Sequence, residues 1–245
     1  MVMLESNIRR KLYEYVVDEI GLRIINGRYR PGDTLPNEDA LCREFDVSRG
    51  VVREAMKVLV QKGLVVLRPR TGTRVRPRRE WNLFDPDVLL WKYRSGEKEA
   101  FIDNIMEMRR IIESEAAMRA ASRAGEREVN RIRHVYEEME AMIMAQDEAL
   151  WEDCVLLDMQ FHMAILESCG NELIAQIGHT MRHCLLTARE NDRHDFKAHR
   201  EALPAHRAIL DAILDRKPQA AREATRALID RVWQEMKEPR DGRSA

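Results

Sequence analysis

Between Arg49 and Lys62 the apolar residues Val52, Ala55, Met56 and Leu59 fall at i, i+3, i+4 and i+7, the stripe of a helix with one buried face. Arg49, Arg53 and Lys57 occupy the other side, and Ser48 stands where a helix cap belongs. A shorter amphipathic segment, Asn37–Phe45, precedes it with Leu41 and Phe45 on one side, and Asp46-Val47-Ser48 breaks the pattern between the two. Upstream, a helical pattern runs from about Asn7 to Ile25 and stops at Asn26-Gly27, ahead of a turn at Arg30-Pro31-Gly32-Asp33. After Gly63 two strand-like runs, Val65–Arg68 and Thr73–Arg76, flank Pro69-Arg70-Thr71-Gly72, which has the composition of a hairpin tip. Helix, turn, basic helix and hairpin in this order predict a winged helix-turn-helix over residues 1–77.

The pattern then changes. Residues 78–96 read as a linker anchored by Trp81, Leu83 and Phe84, with Asp85-Pro86-Asp87 as a helix start. Beyond it no strand-like alternation appears, and Gly and Pro are sparse. Helices are expected at Ala100–Ala124, Glu126–Ala145, Glu148–Cys169, Asn171–Glu190, Arg200–Arg216 and Pro218–Lys237. This is an all-α bundle over residues 97–238, followed by a short disordered tail at 239–245. The fold class is therefore mainly α, with a small β-hairpin in the first domain.

Charge separates the two halves. The net charge is only -1, yet residues 1–80 carry 17 Lys+Arg against 11 Asp+Glu, a net of +6, while the rest carries 24 against 31, a net of -7. Between Arg43 and Arg79, 11 basic residues face only Glu44, Asp46 and Glu54. That density suits a polyanion and points to double-stranded DNA, with Arg68, Arg70, Arg74 and Arg76 crowding the hairpin. A single winged helix offers few base contacts, so a homodimer on a palindromic operator is expected. No apolar run approaches the roughly 18 residues that span a bilayer, and Met1–Arg10 has no apolar signal core, so a cytoplasmic protein without membrane partners is expected. Cys42, Cys154, Cys169 and Cys184 are scattered without C-x-x-C spacing.

All seven histidines lie beyond residue 130. In the stretch LDMQFHMAILE, Asp158 and His162 stand four residues apart inside an apolar run and share one helix face. A hydrogen-bonded core pair is one reading, and two metal ligands is the other. His206, in LPAHRAILDAI, opens a further amphipathic helix whose packed face holds Ile209, Leu210 and Ile213, so its imidazole points inward too. Carboxylate and imidazole donors favour zinc, nickel, manganese or iron over magnesium or calcium. Arg109 lies at the edge of a stripe of Ile105, Met108, Ile112 and Ala116 and needs an acid: Glu113 or Glu107 internally, or the carboxylate of a ligand. His179 and His183 form an H-x-x-x-H pair, but Thr180 stands where a zinc protease needs its general base. His194 and His199 fall in a charged stretch that reads as an exposed loop. A metal-dependent enzyme fused to a nucleic-acid module is the competing class. It lacks a nucleophile, a Gly-rich phosphate loop and a second carboxylate pair.

The run LPNEDALCREFDVSRGVVREAMKVLVQKGLVVLRPRTGTRV resembles the DNA-binding domain of the GntR family of bacterial transcription regulators. The linker and the helical half are similar to the FadR-type subdivision with its FCD effector-binding domain, and the linker wording suggests a sugar-acid regulator. The resemblance implies a ligand-responsive regulator, probing DNA with Ser48, Arg49, Gly50 and Arg53 and, at the wing tip, Arg70, Thr71 and Gly72. Asp39 departs from it, because many relatives carry a basic residue there. For FCD domains that bind metal, the resemblance implies the D-x-x-x-H pair, a histidine in a later helix and one in the last helix. Asp158, His162 and His206 match the first three, and Leu228 occupies the fourth place. Arg109, Asp158, His162 and His206 are then the residues expected to meet the effector, a small carboxylate such as a sugar acid.

Overall fold

The computed structural model describes residues 2–68, 71–96, 98–189 and 196–237. The chain divides into two compact units between Phe101 and Ile102. The expected tail at 239–245 and the wing-tip residue Arg70 lie outside the described residues.

In the first unit, α1 (Val2–Ile25) buries Val16, Val17, Ile20 and Ile24 along one face. It stops where Gly27 turns the backbone to a φ of 74°, a left-handed conformation that glycine adopts without strain. α2 (Glu38–Phe45) is capped by Asn37, whose side chain accepts from the Ala40 amide, and it ends at the left-handed Asp46. α3 (Arg49–Gln61) is capped by Ser48, which accepts from the Val51 amide at 3.4 Å. The expected apolar stripe is the buried one: Val51, Val52, Ala55, Met56 and Leu59 join α1 in one core.

The wing is an antiparallel pair, β1 (Val65–Arg68) and β2 (Gly72–Val75), in register from Val65 opposite Val75 to Arg68 opposite Gly72. β2 starts one residue earlier than the sequence pattern predicts, because Gly72 adopts a φ of 84° at the tip and enters the ladder. Arg76 leaves the ladder and pairs with Glu80.

Residues 78–96, read from the sequence as a linker, hold a 3-10 turn at Arg78–Glu80 and a helix, α4 (Pro86–Arg94), folded onto α1. Trp91 is fully buried there. Its ring fills the space above Gly21, where an added Cβ would sit 2.5 Å from the ring, and its indole N–H donates to Asp18 at 3.1 Å. Lys62, at the end of α3, reaches Asp85 at 2.8 Å and Asp87 at 2.6 Å. Trp81 is buried as expected, whereas Leu83 and Phe84 are exposed. Trp91 does the anchoring that those two were expected to do.

The second unit contains the body of α5 (Lys98–Arg123), then α6 (Glu126–Ala145), α7 (Trp151–Glu167), α8 (Glu172–Arg189), α9 (Phe196–Leu214) and α10 (Pro218–Lys237). Its core joins Ala117, Ala120 and Ala121 of α5 to Ile132, Tyr136 and Met139 of α6, Phe161 of α7, Ile209 and Ile213 of α9 and Leu228 of α10. Two boundaries differ from the sequence pattern. A 3-10 turn at Glu148–Leu150 precedes α7, and α9 starts at Phe196 with Pro204 inside it. Proline lacks an amide hydrogen and usually marks a helix start, yet here the helix runs through it. His206 therefore sits mid-helix instead of opening one.

If 78–96 were a loose tether, Trp91 would matter little. We expect Trp91→Ala to destabilise the first unit by about 3–5 kcal/mol, seen by denaturant unfolding of the whole chain; a loss below about 1 kcal/mol would contradict the packing described.

Candidate effector site and DNA-binding face

The second unit buries a set of charged groups. Glu113 of α5 is 3% exposed and meets two guanidinium groups: Arg109 Nε donates to its Oε1 at 2.7 Å and Arg182 Nη2 to its Oε2 at 2.6 Å. His162 Nδ1 stands 3.4 Å from the same Oε2. Burial works against the charge on Glu113, but the two guanidinium groups outweigh it and hold its carboxyl far below the usual carboxylate range. Burial, together with repulsion from Arg109, brings Arg182 down to about 10 despite Glu113, which leaves it cationic at neutral pH. Its Nε is buried with no hydrogen-bond partner among the described residues.

Asp158, His162 and His206 adjoin this network. His206 Nε2 is 3.0 Å from Asp158 Oδ1 and 3.2 Å from His162 Nε2, and His162 Nε2 is 4.0 Å from the same carboxylate oxygen. Arg182 Nη1 approaches the other oxygen of Asp158 at 3.9 Å. The carbonyl of Ala202, 3.0 Å from His206 Nδ1, can only accept, so Nδ1 carries the proton and a neutral ring turns a lone pair on Nε2 towards its neighbours. His162 likewise gives its Nδ1 to the acceptor Glu113. Burial and then Arg182 hold its imidazolium well below the usual histidine range, so the ring is neutral.

Three electron-rich atoms thus converge, which is unfavourable without a cation among them. One proton on His206 Nε2 serves Asp158 or His162 but not both. A transition metal fits all three: tetrahedral ligands with bonds of about 2.1 Å lie about 3.4 Å apart, within the spread found here. The outer nitrogens are already fixed by Ala202 and Glu113, as metal-bound imidazoles require. Leu228 is buried in the hydrophobic core and offers no donor.

On the first unit, α3 turns Arg49 and Arg53 to solvent, with side chains 66% and 62% exposed. Ser48 has its hydroxyl engaged as the cap, Gly50 lies in the first turn, and Thr71 and Gly72 are exposed in the wing. Behind the hairpin, Arg68, Arg74 and Arg76 line a groove of about 460 Å³ with Pro31 and Gly32.

Residues 12–75 match the family model of bacterial regulatory proteins, gntR family, and residues 104–231 match that of the FCD domain. The chain belongs to the GntR family and carries an FCD domain. The uncharacterized HTH-type transcriptional regulator YieP of Escherichia coli strain K12 is 32% identical over 90% of this chain and 94% of its own. The galactonate operon transcriptional repressor of the same strain is 30% identical over 91% and 96%. A solved structure of Lar, which controls expression of the Listeria monocytogenes agr system, shares the fold at a TM-score of 0.60 and 18% identity, covering 94% of this chain and 97% of that one. As a GntR/FCD protein, the chain is a ligand-responsive DNA-binding transcription regulator; its relatives are regulators and not enzymes. Among the described residues, no helix is long and apolar enough to cross a membrane.

Asp158, His162 and His206 are brought together as their spacing suggested, and Arg109 adopts its internal partner Glu113. The sequence reading passed over Glu113 as more than that partner, and over Arg182 entirely. Arg182 falls on the same helical face as the buried Gly178 and Met181, so a charge on a packed stripe was the available signal. Outside the ligand cluster, His179 pairs with Glu167 at 3.3 Å. His199, expected in a loop, lies in α9 with its ring edge-on to Trp151 at 4.9 Å, because α9 begins before it. The side chain of His183, and His194, lie outside the described residues.

Removing the shared anion strands two buried guanidinium groups. Glu113→Gln should cost about 3–5 kcal/mol in urea unfolding, against less than about 1 kcal/mol for the exposed Glu167→Gln; comparable small losses in both would show that the buried network is not needed for folding.

Proposed function

We propose that this regulator represses an operon for catabolism of a sugar acid or related small carboxylate, and that this acid, bound in the FCD domain, releases the DNA. Charge balance carries the reading. Histidines aside, the two guanidinium groups of Arg109 and Arg182 are matched by the two carboxylates of Glu113 and Asp158. A divalent ion on Asp158, His162 and His206 adds two positive charges in a site where burial makes unmatched charge costly. An anionic effector restores the balance. The similarity to the galactonate operon repressor supports the same class of ligand.

Asp158, His162 and His206 would hold zinc, nickel, manganese or iron, and with three protein ligands such an ion supplies open coordination positions to oxygen donors. Arg182, within 3.9 Å of Asp158 and with a buried Nε that has no partner among the described residues, is the guanidinium best placed for the effector carboxylate. Arg109 supports it through Glu113. At the other end of the chain, Ser48, Arg49, Gly50 and Arg53, with Arg70, Thr71 and Gly72 of the wing, contact the operator. Two chains form a homodimer on a site of two-fold symmetry, acting in the cytoplasm.

The test is effector response in variants that still fold and bind operator. In gel-shift titrations with a panel of sugar acids, wild-type protein should release its operator with one of them. His162→Ala and Arg182→Ala should each weaken that response by at least about tenfold, a loss near 1.4 kcal/mol. Unshifted release in both variants would overturn the site.

The DNA-binding reading predicts that Arg49→Ala or Arg53→Ala costs about 1–3 kcal/mol on the operator, while Arg74→Ala weakens binding to all sequences and flattens its salt dependence. Fluorescence anisotropy on operator and random duplexes separates the two effects.

A further inference from the structure

Both arginines that α3 turns outward are already engaged by carboxylates of α2. Arg53 Nε lies 3.1 and 3.0 Å from the two oxygens of Glu38. Arg49 Nη2 lies 2.9 Å from Asp39 Oδ1. All four side chains are between 44% and 66% exposed, and ion pairs so exposed add little to stability. Their geometry is more informative than their strength.

Glu38 takes the Nε of Arg53 and leaves both terminal amino groups open. Asp39 takes one N–H of Arg49 Nη2 and leaves that nitrogen's second N–H to pair with Nε or Nη1. A guanidinium reads guanine through two N–H groups directed at O6 and N7, so each arginine keeps the donors it needs while a long, flexible side chain is held in one direction. Part of the ordering cost of binding is thereby met before DNA arrives.

The same carboxylates are the first two residues of α2. A helix N-terminus with free amides attracts phosphate, and here Asn37 occupies one amide while Glu38 and Asp39 place negative charge at the entrance. This repels the backbone of any duplex. It also keeps Arg49 and Arg53 from settling on phosphates, since a phosphate must displace the carboxylate first. Base contacts on the operator compensate for that repulsion, and random DNA offers no such return.

We propose that Glu38 and Asp39 are specificity-determining positioning residues: they aim Arg53 and Arg49 at base edges and lower the affinity for DNA of the wrong sequence. The inference rests on the reading of α3 as the recognition helix. It gives Asp39 a task that a basic residue at that place could not perform.

The test uses the full-length protein, an operator selected from random duplexes by the protein itself, and an unrelated duplex of equal length, titrated across a range of salt. Glu38→Gln and Asp39→Asn remove the charge and keep the shape. Each should steepen the slope of log K against log salt on random DNA by about one. The double variant should lower the ratio of operator to random affinity by at least about tenfold, through tighter random binding, weaker operator binding or both, with an unchanged melting temperature. A purely structural role would lower the melting temperature and leave the ratio alone. Arg49→Ala and Arg53→Ala run alongside. If those lose specificity while the carboxylate variants keep the wild-type ratio and slope, this inference alone is overturned. If the arginine variants bind with unchanged affinity and specificity, the recognition-helix reading fails and the inference falls with it.

Discussion

Glu113 is the group on which the helical domain's buried chemistry depends. One carboxylate, closed off from water, answers Arg109 from its own helix, Arg182 from α8 and His162 from α7. Without it, two buried guanidinium groups would, among the described residues, have no anion beyond Asp158, an arrangement that costs several kcal/mol of stability. With it, Arg182 is held near Asp158, and His162 is turned so that Nε2 faces His206 and Asp158. The convergence of ligand atoms is therefore a consequence of charge matching one layer further out. Rigidity is what a site needs if a small ligand is to be distinguished by a few oxygen atoms, and the paired charges around Glu113 contribute to it.

The site also draws on helices far apart in sequence: α5 supplies Arg109 and Glu113, α7 Asp158 and His162, α8 Arg182 and α9 His206. A ligand bridging these groups tightens four helices at once. Such a ligand alters DNA affinity only through its different affinity for the DNA-competent and incompetent states, and the coupling is reciprocal. In the DNA-binding domain, Lys62 ties the end of α3 to Asp85 and Asp87, and Trp91 fastens α4 to α1. The end of α3 and the segment that leaves the wing are therefore joined by direct contacts.

Much of this was legible in the sequence because the signals are local. Ser48 before an apolar stripe and the run of turn residues at the hairpin tip each act within a few residues, and α3 and the wing form where they point. The four-residue step from Asp158 to His162 is local too. What escaped depends on distant partners. Trp91 is buried because Gly21, seventy residues earlier in the chain, leaves room for its ring. Glu113 reads only as a partner for Arg109, and Arg182 draws no notice, until the bundle brings the two within 2.6 Å. Pro204 falls inside the helix expected at Arg200–Arg216, and what the pattern missed is its start at Phe196, which places His206 in the middle of α9.

The claim at the centre is that a cation on Asp158, His162 and His206 is what makes the site receptive to an organic anion. It is tested most directly by calorimetric titration of the effector sugar acid into the same protein, once loaded with a transition metal and once stripped by a chelator and shown to remain folded. The charge balance predicts that the acid binds the loaded protein at least about a hundredfold more tightly, a difference of about 2.7 kcal/mol. Equal affinities in the two forms would contradict it.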